Sequence, residues 1–435
     1  MSGSLLLQYD LPAVAAATLC AGACALVGHF LTLRRTAMLG DAISHAVLPG
    51  IVLVFLLLGT RAPLPMLLGA GAAALLAAGV IEGLKRLFGD RLEQGAAMGI
   101  VFSAFFAMGI VLMERGARNV DLDADCVLYG TLEAITWPAA HSAAALADPA
   151  VWAAAPRQVI TLAAVYVLLL AVVAVFFRRL VAACFDPGFA RSAGLRPGLV
   201  NFGLAGLVAT AAVASFEAVG SVLVIAMLVC PGAAARQWSD RLVSQLWIGQ
   251  GMAALAAVGG YVLASVGPAM VGLDRALTAS GMIAATAGGL LLISAVISPR
   301  HGAVARWRRR RAVAVETARE DLLATLYRQR EGRAGFTPAF WRATAGSARL
   351  CDLALRQARQ RGQIEGPDEA PRLTEAGLTA AAAVVRSHRL WERYLVDQAG
   401  ADPAKVHDQA MVLEHAGLTP PQPGDATDPH GRRIP

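Results

Sequence analysis

Long apolar runs fill the first three hundred residues of the chain and stop there. Nine stretches, 12–33, 40–58, 64–84, 95–113, 158–177, 199–215, 218–235, 243–266 and 277–297, are each close to the ~20 residues with which a helix crosses a ~30 Å hydrocarbon core. The pattern predicts an all-α polytopic membrane body with about nine transmembrane helices. Because 199–215 and 218–235 are short, one of them can be a broken or re-entrant helix, and eight to ten crossings stay open. After residue 300 the pattern changes. Residues 316–331 (ETAREDLLATLYRQRE) predict an amphipathic helix, and 339–361 two short helices with a turn near 344–346. QIEGPDEAPRLT (363–374) reads as a wing. Two more helices follow in 373–400 and 405–417. The expected organisation is a membrane domain (1–299), a basic juxtamembrane linker (300–315), a degenerate winged helix-turn-helix (316–372), a helical region (373–418) and a disordered tail (419–435).

Composition agrees with that division. The 435 residues are 56% hydrophobic and 16% charged, with a mean hydropathy of +0.55 and a formal charge of +7. The short connections alternate in basic content. One set holds Arg34–Arg35, Lys85–Arg86–Arg91, Arg178–Arg179–Arg191–Arg196, Arg236–Arg241 and the tail from Arg300, and the positive-inside rule makes that set cytoplasmic. The N-terminus is then outside and residue 300 inside, so the +7 charge needs no nucleic acid to account for it. The cluster HGAVARWRRRR (301–311) suits anionic headgroups. The cysteines are scattered without a CxxC pair; Cys20 and Cys24 share a helix face, and small packing residues are the simpler reading.

Within the apolar body, LGDAISHAVLPG (39–50) places Asp41 and His45 one helical turn apart, about 6 Å, on one helix face. An ionised Asp deep in a transmembrane helix costs roughly 2.5–3.5 kcal/mol on insertion scales, so it implies a use. An Asp–His pair suits Mn, Fe or Zn better than soft Cu(I), and a two-fold dimer would bring two pairs into one four-ligand site. Pro49 lacks an N–H, which frees the carbonyl of His45 either to help coordinate or only to kink the helix. Glu217 lies where two spans meet and can attract cations or sit solvated at headgroup level; the acidic run 121–125 reads as a solvated loop. His29, at the end of the first span, reads as a packed or interfacial histidine.

The loop FDPGFARSAGLRP (185–197) has Asp186 as an N-cap, Pro187 at the first helical position and Gly194 to end the helix. A short helix between two spans offers an external ATPase a handle. No G-x-x-x-x-G-K-[ST] loop occurs in the sequence, so any ATP hydrolysis falls to another chain, and no catalytic role is expected of this one.

Three of these segments, LRRTAMLGDAISHAVLPG (33–50), FDPGFARSAGL (185–195) and EAVGSVLVIAMLVCPGAAAR (217–236), resemble the membrane permeases of zinc, manganese and iron ABC importers (the ABC-3 family). The resemblance implies a type II importer fold in a bacterial inner membrane, with the C-terminus cytoplasmic. It also implies a second permease protomer (a copy or a relative), cytoplasmic ATPase subunits and an extracytoplasmic metal-binding protein. By it, Asp41 and His45 match pore metal ligands, and 185–195 (with Phe185, Asp186, Pro187, Ala190 and Gly194) matches the coupling helix.

In the C-terminal part, His388 and Glu392 are i, i+4, as are His407 and Met411, while Glu414 and His415 follow within a turn. Such spacing makes a credible divalent-metal site, with a polar helical interface as the competing reading. This region resembles the metal-binding and dimerisation region of iron- and manganese-dependent repressors. The resemblance implies that His388, Glu392 and His407 form one site and that Glu414 and His415 belong to a second, with Glu320 or Asp321 as loose candidates for its remaining ligands; Met411 stands where Cys or a carboxylate is usual. The expectation is a permease for Mn²⁺, Fe²⁺ or Zn²⁺ carrying a metal-sensing module, ATP acting only through its partner. DNA binding is possible but not favoured. A membrane-tethered metal-dependent regulator and an ATP-independent metal channel or secondary transporter are the alternatives.

Overall fold

A computed structural model describes residues 5–34, 36, 38–59, 63–116, 130–142, 144–272, 277–332, 337, 341, 347–403, 405–415 and 427–435, with backbone alone at some of them, Asp41, His45, Pro187 and Glu217 included. The chain forms two compact units, Met1–Val304 and Ala305–Pro435.

The first unit is helical throughout, as lipid requires of a spanning chain whose backbone groups can bond only within it. Its helices are α1 (Leu11–Leu33), α2 (Met38–Leu58), α3 (Pro63–Phe88), α4 (Gln94–Gly116), the short α5 (Pro149–Ala153), α6 (Arg157–Phe185), α7 (Pro187–Ser192), α8 (Pro197–Trp238), α9 (Leu242–Val271) and α10 (Ala279–Ile297). Among the described residues, eight segments are long and apolar enough to cross a membrane; α2 contributes the shorter apolar stretch Ala46–Leu58.

At the centre is α1. Ala13, Ala16, Ala17, Cys20, Ala21, Ala23 and Cys24 are all buried, and none is larger than cysteine. Small side chains let neighbouring backbones close in, which is how helices associate where lipid removes the hydrophobic drive. A Cβ on Gly28 would lie 2.0 Å from the carbonyl oxygen of Leu228. The next residue, His29, is buried with Nδ1 2.6 Å from the carbonyl of Ala25 and Nε2 2.9 Å from that of Gln245. Gly249 leaves the space its ring occupies. His29 is a packed histidine tying α1 to α9.

The two short apolar stretches turn out to be the arms of one element. At a rise of about 1.5 Å per residue a 42-residue helix would run about 63 Å, twice the hydrocarbon core. Instead α8 breaks at Gly220 (φ 74°, ψ 169°), a conformation only glycine adopts readily. Its arms fold back on each other. Asn201, Phe202 and Ala205 of the first arm line a small cleft with Arg34 and Thr36. Gly232 of the second arm packs against Thr32. Both open ends of the hairpin therefore lie near the C-terminal end of α1. Gly130 (φ 72°) rests on the break, where a Cβ would come within 2.4 Å of Gly220 N. Polar ties finish this unit: Tyr261 donates to Asp10 Oδ1 (2.7 Å), Glu133 Oε1 accepts from Ala279 N at the start of α10 (2.7 Å), and Asp240 pairs with Arg300 and His301.

The second unit comprises α11 (Ala303–Arg330), α12 (Ala348–Gln360), the antiparallel strands β1 (Ile364–Glu365) and β2 (Arg372–Leu373), α13 (Glu375–Asp397) and α14 (Val406–Glu414). Leu322 and Leu326 on α11, Cys351, Ala354, Leu355 and Ala358 on α12, and Ala381 on α13 form its core with Trp341 and Ile364. The i, i+3, i+4, i+7 spacing on α12 is that of a one-sided helix. A helix, a two-stranded hairpin and a following helix give the expected winged shape.

Two expectations are revised. The segment 300–315 is not a separate linker, because α11 runs unbroken through the arginines from Ala303; arginine is a good helix former, and no Gly or Pro interrupts it. Residues 427–435 are not disordered. Asp428 is buried and caps His430 N and Arg432 N, while the carbonyls of Thr427, Arg433 and Pro435 accept from Arg393, Arg389 and Arg386 of α13.

Candidate metal centre

Thr374 opens α13, its hydroxyl accepting from Gly377 N, and Gly377 itself lies against the carbonyl of Gln363. This fixes the start of a helix whose buried face carries His388 and Glu392 one turn apart. The next helix, α14, packs on α13 and brings in His407 near its start and Glu414 at its end. His388 Nε2, Glu392 Oε1 and His407 Nδ1 form a triangle with sides of 3.1, 2.9 and 2.9 Å. His407 is exposed, so the cluster opens to solvent on one side. A second cluster joins two segments far apart in sequence. His415 Nδ1 is 2.7 Å from Glu320 Oε2, and its Nε2 is 3.1 Å from Asp321 Oδ1 and 3.3 Å from Glu414 Oε1.

Glu414 belongs to both surroundings. Its other oxygen, Oε2, lies 2.7 Å from His388 Nδ1, without the alignment of a hydrogen bond.

The electrostatics fit a cation-binding role. Burial opposes ionisation of Glu392, yet its carboxyl is held well below the usual range because His388 and His407 bond to it. Burial likewise depresses His388, but Glu392 and Glu414 together raise it. His415 is pushed up to about 11 by Asp321, Glu320 and Glu414 against the cost of burial. Glu392 Oε2 is buried and, among the described residues, has no hydrogen-bond partner. Two imidazoles and a carboxylate are a donor set that suits Fe²⁺, and an oxygen-rich remainder suits Mn²⁺.

Beside the second cluster, the buried Arg319 bonds Glu316 (2.7 Å) and Gln363 (2.7 Å), and Arg361 bonds Glu316 (2.8 Å). Arg319 foremost, with Arg361, pulls the Glu316 carboxyl down to about 2. This lies below the unfolded value of about 4.3, so the stabilisation is complete above that pH and fades as pH falls towards 2. Glu316→Gln is expected to lower the melting temperature of this unit by about 2–4 °C at pH 7. Near pH 2 the two chains should melt alike, which scanning fluorimetry across pH will check; an unchanged gap in acid would assign the effect to packing.

The sequence-derived motifs of the first unit are placed as follows. Asp41 and His45 lie on α2, and their side chains fall outside the described residues, as does that of Glu217, three residues before the Gly220 break. Pro49 is buried inside α2. In the 185–197 loop, Asp186 Oδ1 accepts from Gly188 N (2.8 Å) and Phe189 N (2.9 Å), and Gly194 ends the helix with φ 78°. Ala190 is buried, whereas Phe185 at the end of α6 and Phe189 on α7 are 63% and 61% exposed. An open cleft of about 660 Å³ adjoins it, lined by Glu82, Arg191, Leu195, Arg196 and Phe202. The resemblance to the repressors grouped His388, Glu392 and His407, and the structure brings these three side chains together. The resemblance did not anticipate that Glu320 and Asp321 both reach His415, or that Glu414 touches both clusters; the adjacent acids in AREDLL were the available signal.

Residues 7–144 and 150–298 match the ABC 3 transport family, and residues 374–417 match the iron dependent repressor, metal binding and dimerisation domain. The manganese transport system membrane protein MntD of Bacillus subtilis is 35% identical over 284 residues, covering 64% of this chain and 92% of its own. The zinc transport system membrane protein TroD of Treponema pallidum is 32% identical over 365 residues, covering 83% and 95%. This alignment is longer than the first unit, so it runs into the second. Among solved structures, PsaBC from Streptococcus pneumoniae in complex with Fab is similar, with a TM-score of 0.53 and 28% identity, covering 67% of this chain and 92% of that one.

Proposed function

The chain belongs to the ABC 3 transport family, and from that premise we propose that it is the permease subunit of an ATP-driven importer of divalent transition metal ions, Mn²⁺ first and Fe²⁺ or Zn²⁺ next. Relatives named for manganese and for zinc transport support the class of cargo. The observation that supports this reading is the His388–Glu392–His407 cluster, whose two imidazoles and one carboxylate form a donor set suited to a divalent transition metal.

In this reading Asp41 and His45 hold the ion in transit, completed by the same pair from a second permease protomer, with Pro49 and Glu217 in supporting roles. An extracytoplasmic binding protein delivers the ion. Cytoplasmic ATPase subunits grip Phe185 and Phe189 beside the 187–192 helix, and no bond chemistry takes place in this chain. The protein resides in a bacterial inner membrane with its C-terminus inside. The second unit binds the same ion at His388, Glu392 and His407, and at Glu414 and His415 with Glu320 and Asp321, and adjusts transport to internal supply. DNA is the weaker partner: Arg359 is held by Gly366 and Asp368, and Arg361 by Glu316, which removes two cations from a recognition surface.

The test is uptake of radioactive Mn²⁺, Fe²⁺ and Zn²⁺ into vesicles holding this permease and its ATPase. ATP-dependent uptake with Mn²⁺ or Fe²⁺ preferred is expected. Uptake that ignores ATP would make the protein a channel or secondary transporter, and a preference for Zn²⁺ would overturn the choice of metal.

A further inference from the structure

The start of α11 is a bare helix. From Arg306 to Val313 every residue is exposed, including Trp307 at 58% and Val313 at 63%. The segment 299–315 holds six arginines (Arg300, Arg306 and Arg308–Arg311) and no acidic residue; the first carboxylate is Glu316. Asp240 engages Arg300. Among the described residues, Arg308, Arg309 and Arg310 form no ion pair. Arg311 lies over the Trp307 ring, 5.3 Å from its centroid.

Such a helix is unstable by itself. Arg306 with Arg310 and Arg308 with Arg311 are like charges at i, i+4 and i, i+3, which repel. A helix polar around its whole circumference needs a partner or does not persist. The partner must carry dense negative charge and accept an indole, and it must be close at hand. Ile297, the end of a membrane-length helix, precedes Trp307 by ten residues, at most about 36 Å of extended chain. Tryptophan prefers the level of lipid headgroups, and arginine stems lie along apolar surface while their guanidinium groups reach phosphate. We propose that residues 303–313 bind the headgroups of anionic phospholipids through Trp307 and Arg308–Arg311. The membrane surface thereby supplies the counter-charge that this helix lacks.

The test uses the full chain in lipid nanodiscs of phosphatidylcholine alone or mixed one-to-one with phosphatidylglycerol, read by hydrogen exchange of the 303–313 amides. Exchange is expected to slow at least about tenfold in the mixed discs. The slowing should vanish in high salt and in a chain carrying R308Q, R309Q, R310Q and R311Q. Peptides from the 318–326 core, protected equally in both chains, verify that the variant is folded. Equal exchange in the two kinds of disc would overturn the proposal. So would protection conferred by added duplex DNA in phosphatidylcholine discs with none from phosphatidylglycerol.

Discussion

Replacing Asp41 with alanine is expected to reduce metal uptake at least about 100-fold. Losing a partner that only orients a ligand costs 10–100-fold in metal affinity, and losing the ligand itself costs more. In a two-fold site the substitution removes two carboxylates at once. The change should not harm the fold. An ionised Asp costs about 2.5–3.5 kcal/mol within the bilayer and alanine costs almost nothing, so the variant should insert at least as well as the parent chain. Loss of transport at undiminished membrane abundance is therefore the diagnostic pair of measurements. Asp41→Asn keeps the shape and removes the charge, and it should fail nearly as badly. Uptake within twofold of the parent in either variant would eliminate Asp41 as a ligand.

The second large effect concerns the soluble unit. In vesicles preloaded with Mn²⁺ the parent chain is expected to transport more slowly, within the 5–150-fold range that couplings of 1–3 kcal/mol produce. His388→Ala combined with Glu392→Ala should bring the loaded rate close to that of empty vesicles. The double substitution is the informative one. Removing His388 alone would leave Glu392, fully buried, with only the exposed His407 beside it, and the unit could unfold for that reason. Removing both takes the charge and its partner together. Initial rates against internal metal decide the matter, and inhibition that survives in the double variant would show that the unit does not regulate transport through this cluster.

Much of this was legible in the chain. Apolar runs fix where membrane helices lie because length and hydropathy are local, and the capped 187–192 helix followed from Asp186, Pro187 and Gly194 alone. Helical spacing paired His388 with Glu392 for the same reason. What local pattern could not supply were meetings between distant segments. His415 finds Asp321 across 94 residues; only the resemblance to the repressors offered Glu320 or Asp321 as its partner, and no local spacing did. The tail misled because Pro, Gly and Asp suggest disorder, while the arginines that hold it lie on α13. The arginine run misled in the opposite direction: polarity suggested a linker, but helix propensity prevailed.

A segment that returns to the side it left crosses the bilayer twice or not at all, so the two arms of α8 leave the parity of crossings unchanged however deep Gly220 lies. Parity then rests on α1, α2, α3, α4, α6, α9 and α10, each 19–30 residues and thus about 28–45 Å long, enough for one passage apiece. Seven is odd. With one passage apiece, the start of α1 and the end of α10 face opposite compartments, whether or not the two arms of α8 cross as well.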